Sequence, residues 1–254
     1  MKQWRTHKMV LAALVLAVAP GAVTLSRADT VNIVHDGYGA HDTMIFWGAG
    51  YHGAEVMAGV YQLNKSGGTG IGNTWSNGLI PGFCIELPEP PPEATYTYSV
   101  GMPDTTYNSY LDEVVGSPKA NYLRELWAEH YDPAWASGGS YTSQQNSMAE
   151  TFAAAVWEII YEDLPTSPLG WDVTADGTAG DGGFAAMGLD SATANKWLNE
   201  LTGSGSKADL LVVSYGGRQD YLVAVPEPAT IILLGLGGSL ELLRRRRTIR
   251  GSVV

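Results

Sequence analysis

The last thirty residues of the chain, 225–254, consist of three blocks whose order limits what this segment can fold into. The first block, Pro226-Glu227-Pro228, contains two prolines that cannot continue a helix, so Glu227 is expected in an extended, accessible segment. An apolar run, Ala229 to Leu243, follows it. The last block is Arg244, Arg245, Arg246 and Arg247. Because this charged block adjoins the apolar run, a buried core helix is not expected, and the segment is predicted to enter a membrane.

The apolar run is predicted to form a short transmembrane helix. It has about 15 residues, fewer than the roughly 20 that span the hydrocarbon core, so tilt and local thinning of the bilayer must help it. The four arginines would hold its end on the cytoplasmic side and act as a membrane stop, as the positive-inside rule describes. A permanent tail anchor would have the same pattern and is the alternative.

Together, the three blocks resemble the PEP-CTERM sorting signal of exported bacterial proteins. The resemblance covers residues 225–254 and implies that exosortase, a membrane protease-transpeptidase, recognises Pro226, Glu227 and Pro228. It also implies cleavage near this tripeptide, after which the mature protein is released or transferred. The chain is therefore expected to be anchored in the inner membrane only transiently.

The N-terminus, residues 1–28, has the pattern of a secretory signal peptide. Lys2, Arg5 and Lys8 form a basic region, and the apolar segment from Met9 to Ala19 has the length of a signal-peptide core. Small residues in Ser26-Arg27-Ala28 predict cleavage by signal peptidase before Asp29, with an uncleaved anchor as the alternative. The mature protein is expected at the cell surface, in the outer envelope or outside the cell.

Between the two signals, residues 29–224 are long enough for a single exported domain with a hydrophobic core. Residues 29–228 carry 25 acidic and 6 basic residues, a formal charge of −19. A field of this sign repels nucleic acid, which is excluded as a partner. Cys84 is the only cysteine, so no disulfide can form within the chain.

The residue pattern predicts an α+β fold, with a β-rich sandwich or barrel-like body and an inserted helical section between the two sorting segments. Short β-type runs separated by turn residues indicate strands, whereas apolar residues at three- and four-residue spacing indicate helices. Strands are expected at 31–34, 43–47, 79–87, 95–100, 208–215 and 219–225, with 55–63 as a strand or a short helical turn and 66–72 as a glycine-rich loop. Helices are expected at 107–115, 122–127, 143–162 (capped by Ser143 or Asn146) and 190–201 (with Trp197 inward).

Two segments of the body resemble bacterial surface thioester domains. They are Phe83-Cys84-Ile85-Glu86 on a predicted strand and residues 152–159 on the main predicted helix. In that family a cysteine is joined to a glutamine four residues before a helical tryptophan, which forms an electrophilic thioester. Here Cys84 and Trp157 match, but the glutamine position holds Ala153.

Because alanine has no side-chain carbonyl, the resemblance implies a thioester-domain-like scaffold with a vestigial Cys84–Ala153 position and no thioester. Gln144 and Gln145 lie further upstream and would need another geometry. The alternative is that Cys84 and Trp157 are ordinary core residues, since a free cysteine often acts as a small buried hydrophobe.

Sequence motifs of catalysis are missing from the chain. It contains no His-Glu-x-x-His zinc helix, no Gly-x-Ser-x-Gly elbow and no phosphate-binding Gly-Lys-Ser/Thr loop. Glu158 and Glu162, or Glu86 and Glu89, could mimic a carboxylate pair, but no partner for either pair is evident. No catalytic residue and no cofactor are predicted, and the protein is expected not to be an enzyme.

Two acidic or histidine-rich regions contain residue types that can bind a metal. Asp172, Asp176 and Asp181 lie in a glycine-rich loop of the kind that can bind Ca²⁺, but the spacing is not that of an EF-hand, so a solvated loop is expected. The histidines near the start of the body have no spacing that fixes a ligand geometry. No metal ligand is predicted among them: His35, His41 and His52.

The function expected from these observations is non-enzymatic. The tail resemblance and the acidic body favour a cell-surface or extracellular-matrix protein with a structural or adhesive role in exopolysaccharide or biofilm. Its expected partners are signal peptidase, exosortase, the membrane before processing, and polysaccharide. The alternative is an exported carbohydrate-binding module or glycoside hydrolase, with Trp75, Trp135 and Trp171 as exposed sugar platforms.

Overall fold

The computed structural model of the protein describes residues 28–165, 170–175 and 183–226. In these ranges the strands are β1 (Thr30–Gly48), β2 (Tyr51–Thr69), β3 (Gly78–Cys84), β4 (Tyr96–Gly101), β5 (Tyr107–Asn108), β6 (Glu113–Val114), β7 (Ala185–Met187), β8 (Leu210–Tyr215) and β9 (Arg218–Ala224). The helices are α1 (Gly116–His130), α2 (Ser143–Tyr161) and α3 (Ser191–Glu200), and short 3-10 helices span Gly70–Asn73, Pro103–Thr105 and Pro133–Ala136. The strand-rich body with helices agrees with the expected α+β class.

Six strands form a sheet that closes on itself. Their order is β1-β2-β3-β9-β8-β4, and β4 pairs with β1 again, all pairs being antiparallel. β7 extends the sheet beside the second half of β1. Closure leaves the paired parts of these six strands with neighbours on both sides, which removes the unpaired edges that invite aggregation. Of the two predicted architectures, the closed sheet fits the barrel-like one.

The first two strands differ from the sequence prediction. Residues 31–34 and 43–47 were expected as separate strands, but they belong to one 19-residue strand, β1, that pairs with β2 over most of its length. The polar and glycine residues between them lie at register shifts, including those between His35, Tyr38 and His41. The turn signals therefore mark bulges, which bend a strand without ending it. β2 likewise continues through most of the predicted glycine-rich loop to Thr69.

Residues 107–115 were predicted as a helix, and this prediction is wrong. Tyr107–Asn108 and Glu113–Val114 instead form a two-stranded hairpin. The side-chain oxygen of Asn108 accepts hydrogen bonds from the backbone N–H groups of Tyr110 and Leu111, at 3.0 and 3.1 Å. This local bond competes with helical hydrogen bonding, as is typical of Asn in turns. Asp112 completes the turn with a positive φ of 55°.

The other predicted helices are present. α1 contains the expected 122–127 segment, and α3 begins after Asp190 with Trp197 buried. α2 is the central helix, and residues 149–161 on it are all buried, because β1 and β2 as well as the helices α1 and α3 pack against it. Met44 and Phe46 of β1 face this core, whereas Ile45 between them is exposed, as expected for a strand with one buried face.

The N-cap of α2 lies one residue before Ser143, the first of the two predicted cap residues. Thr142, rather than Ser143 or Asn146, is the N-cap, and its hydroxyl accepts a hydrogen bond from the Gln145 backbone N–H at 3.2 Å. The Gln145 side chain in turn accepts from the Thr142 backbone N–H at 2.9 Å. This reciprocal pair is a capping box, which satisfies N–H groups that the first helical turn leaves unpaired.

Thr142→Ala is expected to lower the free energy of unfolding by about 1 kcal/mol, because it removes the cap oxygen. Urea unfolding of the mature protein would measure the loss. Ser143→Ala is the matched control, since the capping hydrogen bonds belong to Thr142 and Gln145. An equal loss in both variants would contradict the assignment of the cap.

Candidate functional site

The first candidate site is the point at which the chain leaves the closed sheet. β9 ends at Ala224, whose carbonyl oxygen accepts a hydrogen bond from the indole Nε1–H of Trp75 at 2.9 Å. The next residue, Val225, donates its backbone N–H to the carbonyl of Asp209 at 2.9 Å. Pro226 follows, is exposed, and has no N–H with which to continue the ladder. Among the described residues, the sheet hydrogen bonds of β9 therefore end at Val225, directly before the predicted sorting tripeptide.

Both ends of the described body lie at the same end of the closed sheet. Thr30 at the start of β1 pairs with Thr69 at the end of β2. The 3-10 helix that follows Thr69 is tied to the first residues of the body, because the Ile71 backbone N–H donates to the Asp29 carboxylate at 2.9 Å. Trp75, just beyond this helix, holds Ala224. We call this end of the sheet, where β1 begins and β2 and β9 end, the terminal pole.

A second copy of the tripeptide occurs inside the body, at Pro88-Glu89-Pro90. Its environment differs from that of Pro226. The Glu89 backbone N–H donates to the Glu86 carbonyl at 3.4 Å, and the Pro90 carbonyl accepts from the Gln219 backbone N–H at 3.0 Å. This copy is therefore bound along the sheet, whereas the chain at Pro226 leaves it.

The remaining predicted sorting residues, Glu227 and Pro228, lie outside the described residues, as do the membrane stop, Arg244, Arg245, Arg246 and Arg247, and the signal peptide up to Arg27. The predicted transmembrane sorting helix falls in this part of the chain. Of the helices within residues 28–165, 170–175 and 183–226, none is long and apolar enough to cross a bilayer.

Cys84 is the last residue of β3 and is buried at 2% exposure. Its carbonyl oxygen accepts a hydrogen bond from the Trp157 indole N–H at 2.8 Å, so the structure joins the two matching positions of the predicted scaffold. Burial raises the pKa of the Cys84 thiol well above its usual range. The thiol therefore stays protonated, and since the thiolate is the nucleophile, it is chemically inert.

The second position of the predicted vestigial bond is buried as well. Ala153 lies one helical turn before Trp157 and is buried at 2% exposure. Gln145, which was considered as a substitute for the missing glutamine, is occupied in the capping box of α2. Nothing in these contacts tests the relationship to thioester domains, which stays a prediction.

The predicted carboxylate pair, Glu158 on α2 and Glu162 directly after it, accepts hydrogen bonds from the backbone of the connection to β7. Glu158 accepts the Asp172 backbone N–H at 3.0 Å, and Glu162 accepts the Phe184 backbone N–H at 2.6 Å. Burial raises the pKa of Glu158 to about 8, and the nearby Glu162 carboxylate adds to the shift. The two groups therefore bind the connection between α2 and β7 at two points, Asp172 and Phe184.

A second carboxylate pair was not predicted from the sequence, because its members are far apart in the chain. Glu86 and Asp220 line one crevice with Asn108 and Thr106, and the crevice has room for about one water molecule. Burial and the Glu86 carboxylate raise the pKa of Asp220 to about 8. The predicted partner of Glu86 was Glu89, and only the pairing of β3 with β9 brings Asp220 to this place.

The tryptophans proposed as sugar platforms lie in the core, and the metal candidates do not come together among the described residues. Trp75, Trp135 and Trp171 are buried at 3–5% exposure, so the expectation that these rings form exposed sugar platforms is wrong. Among the described residues, no three His, Cys, Asp or Glu side chains come together as metal ligands. Asp172 uses its carboxylate for Thr174 and Asn195, while Asp176 and Asp181 lie outside the described residues.

Comparison with known proteins identifies the C-terminal segment. Residues 224–247 match the family model of the PEP-CTERM protein-sorting motif. The motif marks an exported protein of the cell envelope or surface that exosortase processes, and it confirms that the tail is a sorting motif of this kind. The cleavage position, the membrane helix and the arginine stop stay predictions. No curated protein and no solved structure matches the chain.

Proposed function

We propose that this chain is a non-enzymatic protein of the bacterial cell surface or extracellular matrix, with a structural or adhesive role in exopolysaccharide or biofilm. Exosortase would cut it near Pro226, Glu227 and Pro228 after the arginine block has held it in the inner membrane. The observation that carries the proposal is the position of Pro226, exposed and one residue beyond the last sheet hydrogen bonds, within the matched sorting motif.

The chemistry of the body supports a passive role. The Cys84 thiol is buried and protonated, and Glu158 and Glu162 are occupied with backbone N–H groups. The crevice between Glu86 and Asp220 admits a water molecule, whereas a sugar ring needs far more space. These features favour a structural body over the alternative of a glycoside hydrolase.

We also infer that the body is a thioester-domain-like scaffold that has lost its reactive bond. The support is the hydrogen bond between Trp157 and Cys84, together with alanine at position 153. The intact mass of the mature protein should show no loss of ammonia, which accompanies thioester formation. A mass lower by one ammonia would contradict this inference.

Expression of the full chain in a host that carries exosortase is expected to yield a product that lacks the arginine-rich end and residues 1–28. Mass spectrometry of both termini would locate the two cuts. In a matched host without exosortase, the C-terminal end should remain. Recovery of the intact C-terminus in the host with the enzyme would overturn the proposal.

Two variants sharpen this test. Glu227→Ala changes the tripeptide of the sorting motif and is expected to abolish C-terminal processing. Glu89→Ala changes the tripeptide that is bound along the sheet and should leave processing unchanged. Loss of processing in both variants would mean that the effect arises from the body and not from recognition of the tail.

A further inference from the structure

We propose that the terminal pole is a membrane-contacting surface, on which the unprocessed protein rests against the lipid headgroups before exosortase cuts it. This inference rests on the proposed function, because it requires that the tail enter the membrane. It assigns a partner to one end of the closed sheet and leaves the opposite end facing away from the bilayer.

The first argument is the length of chain between the body and the apolar run. Pro226 directly follows the last sheet contacts, and the apolar run begins at Ala229. Three extended residues span at most about 11 Å. The headgroup region on each side of the hydrocarbon core is roughly 6 Å thick, so a membrane-inserted run leaves almost no gap between the pole and the lipid.

The second argument is the composition of the pole. Exposed apolar side chains lie around the point at which the chain leaves: Ile71 at 41%, Leu79 at 52% and Met102 at 48% exposure. Single exposed apolar residues are common on protein surfaces and carry no weight alone. Here, however, they surround the place to which the membrane segment is tied.

The strand register places each of them at this end. Gly82 of β3 pairs with Val223 of β9, so Leu79, three residues earlier, lies on the side toward which β9 runs. Gly101 at the end of β4 pairs with Val212 of β8, and Met102 therefore follows toward the end of β8 that pairs with Ala224.

Ile71 is fixed at the pole by its own backbone, which donates to the Asp29 carboxylate. The body carries a formal charge of −19 over residues 29–228, so anionic lipid would repel it. The contact is therefore apolar and is enforced by the tether, which gives the pole a high local concentration at the surface. Added salt screens this repulsion and therefore should not release the contact.

Cysteine labelling in spheroplasts of a host without exosortase tests this contact on the full chain. Leu79→Cys and Met102→Cys report on the pole, whereas Met57→Cys and Met187→Cys report on exposed positions of β2 and β7 near the other end of β1. Native Cys84 is buried and gives no background. With a membrane-impermeant maleimide, the pole cysteines should react several-fold more slowly than the distal ones.

A spacer variant provides the matched control. A Gly-Ser insertion of about 20 residues between Val225 and Pro226 lengthens the tether by roughly 25 Å and should restore labelling of the pole. Unchanged protection with the spacer would mean that something other than the nearby bilayer shields these positions, and the proposal would fail.

Two further outcomes separate this proposal from the function on which it rests. Equal labelling of pole and distal cysteines in a membrane-bound chain overturns the lipid contact alone. The same holds if the pole cysteines are protected only when a catalytically inactive exosortase is present. Recovery of the full chain in the soluble fraction means that the tail has not entered the membrane, and it overturns the proposed function as well.

Discussion

Replacement of Trp157 by alanine is expected to lower the free energy of unfolding by about 3–5 kcal/mol, the usual cost of deleting a large buried aromatic ring. Trp157 is 1% exposed, and its ring lies 6.5 Å from that of Phe46 and 5.9 Å from that of Phe184. It also donates to the Cys84 carbonyl, so its loss affects both packing and a buried hydrogen bond. Urea unfolding of the mature protein would measure the change.

Trp157→Phe separates these two contributions. Phenylalanine keeps most of the aromatic packing but leaves the Cys84 carbonyl oxygen without its donor, which costs about 1–3 kcal/mol. We expect this variant to be destabilised by clearly less than the alanine variant. If Trp157→Ala cost under about 1 kcal/mol, typical of a surface site, the packing of α2 against β1 and β3 would be wrong.

The second large effect concerns pH. The protein is expected to lose a few kcal/mol of stability between pH 5 and pH 9, since one pKa unit corresponds to about 1.4 kcal/mol. Burial raises the pKa of Glu158 and Asp220 to about 8, and burial together with Asp42 raises that of Glu150 to about 7. Unfolded carboxyls titrate near pH 4, so the folded state binds more protons between pH 4 and 8.

Stability must therefore fall as pH rises through this window. The stability that these buried carboxyls contribute is fully present below their unfolded pKa values. It is lost progressively as pH rises, until the folded groups have ionised near pH 7 to 8. Burial lowers the pKa of His35 and His130, which opposes this trend below about pH 6.5. The optimum is expected on the mildly acidic side of neutrality.

Urea midpoints measured from pH 5 to pH 9 would check the slope. Glu158→Gln keeps an acceptor for the Asp172 backbone N–H but cannot ionise, so it should make the decline between pH 5 and pH 8 less steep. Glu55→Gln, at an exposed position of β2, should leave the slope unchanged. A stability that rises steadily from pH 5 to pH 9 would contradict the assigned ionisation of these buried carboxyls.

Local patterns in the sequence predicted the elements that local forces determine. The apolar residues of α2 recur at helical spacing, and the β8–β9 hairpin has a glycine turn between two apolar runs, so both could be anticipated. Residues 107–115 have a helical spacing as well, but Asn108 binds the backbone of the next residues and favours a turn. The side-chain hydrogen bonds of Asn108, rather than the helical spacing, therefore determine the structure of that segment.

Non-local pairing could not be predicted from the sequence. Closure of the sheet depends on β4 meeting β1 and β9 meeting β3, contacts between residues far apart in the chain. The crevice with Glu86 and Asp220 follows from this pairing, which is why Asp220 gave no signal. In contrast, the sorting tail could be identified from its sequence alone, because the motif consists of three blocks in a fixed order along the chain.

The position of β9 between β3 and β8 has a mechanical consequence for a protein that is joined to a surface through its new C-terminus. A pull on Val225 acts along β9, across hydrogen bonds that run perpendicular to the strand. These bonds are loaded together in shear and must break together, whereas a terminal strand pulled away sideways would unzip one bond at a time. If exosortase joins the protein to a surface near Pro226, as proposed, the body is oriented to bear load from that end.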